Sequence, residues 1–191
     1  MRLGILGGSF NPIHIGHLIL AECAREQFRL DRVWFIPTAR PPHKSAEGLL
    51  PGPMRLAMVR LALRGHPTFR ASDLELKLGG ISYTLRTVQR LRTRYPRARL
   101  FLIIGSDMLQ VHWYRWQHLR KMCTILAAPR AEATPAGGAH LQRIAMPEIA
   151  ISSSLVRTRL RRRQSIRYLV PDAVAGYIAQ RGLYRRGSSE G

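Results

Sequence analysis

Acid is what this 191-residue sequence has least of: 11 Asp and Glu stand against 31 Lys and Arg, a net charge of +20. Such a balance predicts attraction to anions, either nucleic acid or phosphorylated small molecules. The arginines are spread over several segments, and no zinc-finger spacing or aromatic RNA-binding pattern accompanies them. Nucleic acid is therefore not expected as a partner, and most of the arginines read as a solvated face. Only two cysteines occur, Cys23 and Cys123. Neither has metal-ligand spacing around it, and both fit reduced thiols of a cytosolic protein, with a disulfide between them left open. No run approaches the roughly 18 consecutive apolar residues of a membrane span. Met1-Arg2 leads straight into a strand, so no signal peptide is read. A cytoplasmic protein without a membrane partner is expected. Also missing are a Ser-His-Asp arrangement in a credible context, a Walker-type Gly-Lys-Ser loop and a Cys/His cluster, so no protein-held metal is expected.

What is present is a chain 46% hydrophobic, enough for a sizeable core. Leu3–Leu6 reads as a strand apolar enough to be buried on both faces. Helical spacing follows from Gly16 to about Phe28, then a strand at Val33–Ile36, and this β-α-β order predicts parallel pairing. Thr38–Pro53 is a proline-rich loop carrying Arg40, His43 and Lys44. A helix follows at Arg55–Arg64, short strands at Phe69–Ala71 and Leu74–Leu76, and a helix from Ser82-Tyr83-Thr84 to Arg94, capped by that triplet. Leu100–Ile104 is the strongest strand, Thr124–Ala128 another and Ile144–Met146 the last. Ser152-Ser153-Ser154 caps an arginine-rich helix, and a final helix covers about Asp172–Gln180. The fold class expected is α/β, with a Rossmann-like parallel sheet flanked by helices. One domain, 1–191, is expected, with a small C-terminal helical part at about 152–185.

The chemistry concentrates at Gly4–His17. A strand there runs into Gly7-Gly8, an Asn11-Pro12 turn, and two histidines three residues apart where a helix begins. Glycines admit a ligand close to the backbone, and a helix N-terminus offers unpaired N–H groups to an anion. In an open parallel sheet, ligands bind past the carboxyl ends of strands, so Gly105-Ser106-Asp107 belongs beside Gly7–His17 if the two strands are neighbours. Lys44 and an arginine one turn past a serine cap add further anion-binding groups. Such a composition suits phosphoryl or nucleotidyl transfer, in which the protein aligns attacking and leaving oxygens and stabilises spreading charge.

The string Gly7-Gly8-Ser9-Phe10-Asn11-Pro12-Ile13-His14-Ile15-Gly16-His17 resembles the HxGH signature of the nucleotidylyltransferase superfamily. In its longer form it is similar to the bacterial nicotinate-nucleotide adenylyltransferase family. The resemblance continues through Pro41-Pro42-His43-Lys44, Ser82-Tyr83-Thr84, Gly105-Ser106-Asp107, Trp113-Tyr114, Ile151–Arg157 and Arg167–Pro171, and so spans nearly the whole chain. It implies ATP and nicotinate mononucleotide as partners, with Mg²⁺ as the ATP complex. The implied reaction is direct in-line transfer of the adenylyl group, giving nicotinate adenine dinucleotide and pyrophosphate. By position it implies His14, His17, Lys44 and Arg157 as catalytic residues, His17 acting at the reacting phosphorus. ATP would meet Gly7, Gly8, Ser9, Phe10, His14, Gly16, His17, Gly105, Asp107, Ser153, Ser154 and Arg157. The mononucleotide would meet Gly8, Ser9, Lys44, Tyr83, Thr84, Trp113 and Tyr114, with Trp113 stacked on the pyridine ring.

Two features depart from the family pattern. Asn11 stands where the family usually has Asp, and the segment between Asp107 and Trp113 is slightly short. A sister enzyme acting on nicotinamide mononucleotide or phosphopantetheine stays open as an alternative, as does a basic nucleic-acid-binding protein on the same fold. The phosphopantetheine enzymes usually carry Thr at the position of His14. The sequence leaves homo-oligomerisation open.

Overall fold

The computed structural model describes residues 1–42, 47–105, 108, 111, 113–128 and 141–184. Among them six strands form one sheet in the order β3-β2-β1-β4-β5-β6, and every neighbouring pair is parallel. The strands are β1 (Arg2–Gly8), β2 (Arg32–Pro37), β3 (Phe69–Ala71), β4 (Arg99–Ile104), β5 (Thr124–Ala127) and β6 (Leu141–Arg143). The helices are α1 (Ile15–Gln27), α2 (Gly52–Ala62), α3 (Leu74–Leu78), α4 (Thr84–Arg94), α5 (Trp116–Met122), α6 (Ser153–Arg161) and α7 (Asp172–Gln180).

Alternation along the strands divides the core in two, because successive strand side chains face opposite sides. Leu6, Phe35, Phe101, Ile103 and Leu126 point to the side covered by α1, α2, α6 and α7, whose Ala21, Met58, Val156, Val174 and Ile178 are buried there. Leu3, Ile5, Leu100, Leu102, Ile104 and Ile125 point to the side covered by α4 and α5, through Leu85, Val88, Leu91 and Leu119. The C-terminal helices thus pack into the same apolar core as the sheet.

The order reverses between β1 and β4, which pair with each other. That is the topological switch point, where a parallel sheet opens a crevice at its carboxyl edge. The Rossmann-like arrangement expected from the β-α-β pattern is the one observed, and Gly105 lies beside the end of β1.

Three local expectations are corrected. Leu74–Leu76, read as a strand from its apolar-charged alternation, is the start of helix α3. In the helix Glu75 turns inward to accept from Thr87 Oγ1 at 2.6 Å, while Lys77 pairs with Asp73 at 3.0 Å across one turn. The last strand is Leu141–Arg143 rather than Ile144–Met146. Ile144 N still donates to Ala127 O at 2.8 Å, while the alternate groups are bonded by the Gln27 side chain of α1, which donates to Arg143 O at 3.1 Å and accepts from Ala145 N at 2.8 Å. Ser82 does not cap α4: its N-cap is Tyr83 without a side-chain bond. The Ser82 hydroxyl instead accepts from Ala39 N at 2.8 Å, tying the loop after β2 to the start of α4.

Candidate active site

At the switch point lies a cavity of about 680 Å³. Gly7, Gly8, Ser9, His14, Gly16, His17, Gly105, Ser153, Ser154 and Arg157 all line it, so residues scattered over 150 positions converge on one cavity. Phe10 does not line it. Its ring is 1% exposed, packed against His17 at 5.0 Å and Phe35 at 6.0 Å between centroids. The Phe10 side chain therefore packs beneath the turn, which leaves its main chain as the part of the residue next to the cavity wall. Lys44 and Asp107 lie outside the described residues, as does Ser106.

The two histidines sit at the start of α1, where His14 is the N-cap. The ring centroids are 3.7 Å apart, and His14 N donates to His17 Nδ1 at 3.2 Å. That bond makes Nδ1 of His17 the acceptor nitrogen, so the neutral ring carries its proton on Nε2 as a donor. His14 is buried, and burial pushes its pKa down to about 4, leaving it a neutral imidazole at pH 7. Its Nδ1 is buried without a hydrogen-bond partner. Gly16 makes this arrangement possible: a Cβ there would stand 3.1 Å from His14 Nδ1, tighter than ordinary contact. One N–H of the helix terminus is already taken, since Ile15 donates to Leu169 O at 2.9 Å.

Against the Asn11-Pro12 turn stands α6, whose N-cap Ser152 accepts from Leu155 N through its hydroxyl. Ser153 and Ser154, the first two residues of the helix, do other work. Ser153 Oγ donates to Pro12 O at 2.8 Å, and Arg157 Nη2 donates to Ser154 Oγ at 3.2 Å. Arg157 Nη1 donates to Asn11 O at 2.8 Å. A guanidinium has five N–H donors, so Arg157 braces the Asn11 turn and keeps donors for a ligand in the cavity. Of Arg159, Arg161, Arg162 and Arg163, all expected on the solvent side, the last three are exposed, whereas Arg159 is half-buried and donates from Nε to Ser165 O at 2.6 Å.

Tyr83, Thr84, Trp113 and Tyr114 do not line the large cavity. Tyr83 and Tyr114 face each other at 4.6 Å, with Tyr114 49% exposed. Trp113 is half-buried beside Trp116 at 5.7 Å. Its indole N–H donates to Met108 O at 2.9 Å, and Met108 is on the cavity wall. The aromatic group is thus anchored at the rim of the cavity rather than inside it.

Three elements of the site have roles that the sequence reading did not assign. Met146, Pro147, Ile149 and Ile151 form an apolar stretch of wall. Asn11 is 5% exposed and bonds through its side chain to three partners. It donates to Gly48 O at 2.8 Å and accepts from Leu50 N at 3.3 Å and Tyr184 Oη at 2.8 Å. The Gly48 carbonyl and Leu50 N–H fix which end of the amide is oxygen. Arg55 of α2 is 1% exposed and binds carbonyls of three separate segments. Within a helical stretch it read as one more surface arginine.

The cytidylyltransferase-like family matches residues 5–159 of the chain. The chain is 40% identical to a protein of Oceanobacillus iheyensis named a probable nicotinate-nucleotide adenylyltransferase, over 96% of each chain. It is also 40% identical to a protein of the same name from Salinibacter ruber, over 97% of this chain and 98% of that one. Among solved structures it is similar in fold to the nicotinic acid mononucleotide adenylyltransferase of Plasmodium falciparum complexed with NaAD. The TM-score is 0.80 at 19% identity, covering 96% of this chain and 97% of that one.

Proposed function

Because this chain belongs to the cytidylyltransferase-like family, and within it to the nicotinate-nucleotide adenylyltransferases, we infer that it joins ATP to nicotinate mononucleotide in NAD biosynthesis. The products are nicotinate adenine dinucleotide and pyrophosphate. A phosphate oxygen of the mononucleotide attacks the α-phosphorus of ATP, the new P–O bond forms, and the bond from that phosphorus to the bridging oxygen of the β-phosphate breaks. Pyrophosphate leaves with the electron pair. No covalent enzyme intermediate is needed, so the protein's work is alignment and charge stabilisation.

The observation that carries this reading is the convergence, on one cavity at the switch point, of the glycine turn, both histidines and Arg157. ATP is assigned to Gly7, Gly8, Ser9, Phe10, His14, Gly16, His17, Gly105, Ser153, Ser154 and Arg157, with both histidines and Arg157 at its phosphates. His17, with a proton on Nε2, donates to charge developing at the α-phosphorus, the kind of preorganised donor that supplies a large catalytic share. The neutral His14 beside it adds a second polar contact without the cost of a buried cation. Met146, Pro147, Ile149 and Ile151 offer the apolar surface that a flat ring prefers. Tyr83, Thr84, Trp113 and Tyr114 at the rim are assigned to the mononucleotide, and Lys44 and Asp107 are assigned by resemblance alone.

The described residues offer no group of three His, Cys, Asp or Glu that could hold a metal ion, and most charged and polar groups on the wall suit an anion. Mg²⁺ is accordingly assigned to the nucleotide, arriving as the ATP complex, where it neutralises phosphate charge. We assign residues 1–191 to one nucleotidylyltransferase domain, supported by the shared core of α6, α7 and the sheet. The described residues include no helix long and apolar enough to cross a membrane, and an enzyme using ATP fits the cytoplasm.

The test is to incubate the purified protein with ATP, Mg²⁺ and either nicotinate or nicotinamide mononucleotide, and to measure pyrophosphate. Release with nicotinate mononucleotide is expected. Its absence would sink the assignment, and equal rates with both would remove the acid preference while keeping the reaction class.

A further inference from the structure

The phosphate-binding turn has an electrostatic problem. Main-chain carbonyls carry partial negative charge, and a turn that meets a triphosphate must keep them away from it. Along Gly8–Pro12 four carbonyls are each taken by a donor of the protein. Gly8 O accepts from Thr38 N at 2.9 Å, Ser9 O from Arg55 Nη1 at 2.7 Å, Asn11 O from Arg157 Nη1 at 2.8 Å and Pro12 O from Ser153 Oγ at 2.8 Å. In a trans peptide the C=O and the following N–H point in opposite directions. Drawing the Ser9 carbonyl inward to Arg55 therefore turns the Phe10 N–H outward, and the Gly8 carbonyl does the same for the Ser9 N–H.

Arg55 is the least replaceable of these donors. It is 1% exposed, and its fork spans three chain segments: Nη1 to Ser9 O, Nη2 to Thr38 O at 2.7 Å, and Nε to Leu50 O at 2.8 Å. Thr38 is the residue whose own N–H holds Gly8 O, so Arg55 controls two of the four carbonyls. Burial lowers its pKa, yet a guanidinium stays protonated in a protein. A lysine at this position offers a point charge that cannot fit three acceptors in a plane.

We propose that Arg55 is a positioning residue that sets the polarity of the phosphate-binding turn, holding its carbonyls inward so that N–H groups face the nucleotide phosphates. The proposal rests on the reading that the triphosphate lies against this turn, and it gives a buried arginine remote from the reacting atoms a selective effect on phosphate recognition.

The experiment compares wild type, Arg55→Lys and Arg55→Met by calorimetry with inorganic tripolyphosphate, ATP and adenosine, with circular dichroism to establish folding. Arg55→Met is expected to weaken tripolyphosphate and ATP by about 10- to 100-fold, the loss expected when one or two charge-assisted contacts go. Adenosine affinity should change less than about threefold. Arg55→Lys, which keeps the charge, should fall between and serves as the test if the methionine variant does not fold. Equal losses for adenosine and tripolyphosphate in a folded variant would reduce Arg55 to a structural residue, and unchanged tripolyphosphate affinity would overturn the proposal. Failure of the wild type itself to bind tripolyphosphate in competition with ATP would instead overturn the placement of the phosphates.

Discussion

Acidification should destabilise this protein through one residue of its site. His14 holds its pKa at about 4 because burial disfavours the imidazolium, against 6.5 for the free side chain. The folded state therefore refuses a proton that the unfolded state accepts. Stability is complete above pH 6.5 and is lost as pH falls from there to 4, because the unfolded chain binds more protons in that window. The fall from 6.5 to about 4 corresponds to about 3 kcal/mol by pH 4. Glu75 acts in the other direction: burial raises its pKa, so the folded state prefers the protonated acid and that group resists acidification. The two are separated by substitution. Urea denaturation of wild type and His14→Gln at pH 7 and pH 4 should show the wild type losing about 3 kcal/mol more than the variant. Equal losses would refute the neutral, desolvated state of His14. A triphosphate beside the ring favours the cation, so ATP binding near pH 5.5 should take up protons in wild type and not in the variant, measurable as a buffer-dependent heat.

Further outcomes can be stated with their measurements. His17→Ala should fold, with an unchanged circular dichroism spectrum, while kcat falls about 10²- to 10³-fold for a lost charge-stabilising donor; near-native kcat would remove His17 from the chemistry. Gly16→Ala places a Cβ 3.1 Å from His14 Nδ1 and should reduce kcat/KM for ATP at least about tenfold by displacing the ring; native kinetics would mean that the ring shifts at no cost. Asn11→Asp sets a carboxylate oxygen against Gly48 O, where an amide now donates. It should lower stability by about 1–3 kcal/mol at pH 7, with recovery as pH falls and the acid protonates. A variant equally stable at pH 7 would show that the Gly48 bond is dispensable.

The sheet, its switch point and most of the cavity wall were legible because each rests on a local pattern. Leu100–Ile104 is apolar on both faces, and the Gly-Gly turn, the paired histidines and the serine-led α6 carry their chemistry in adjacent residues. What escaped depends on contacts between distant residues. Leu74–Leu76 alternates like a strand, and only Glu75 meeting Thr87 decides for a helix. Ile144–Met146 has strand-forming residues, and Ile144 N does bond to Ala127 O, but the next N–H, that of Ala145, goes to Gln27 of a distant helix. Asn11 looked like a departure from the family pattern. Its amide answers a specific local demand, one carbonyl and two donors around the same side chain, which a carboxylate meets less well.

Arginine plays two roles here, and ionic strength separates them. Arg161, Arg162 and Arg163 are exposed, and exposed charges act through a field that physiological salt screens within about 8 Å. Their contribution to an anionic substrate is chiefly to its rate of encounter. Arg55 is buried and Arg157 half-buried, and both act through short bonds to main-chain oxygens that salt scarcely reaches. Raising salt should therefore slow ATP association while leaving the turn, and the discrimination between phosphate and adenosine, nearly unchanged. The large net charge and the arginine that organises the site are then separable features: neutralising the exposed run should alter the salt dependence of kcat/KM and leave kcat alone, whereas Arg55→Lys should weaken ATP binding and leave that salt dependence nearly unchanged.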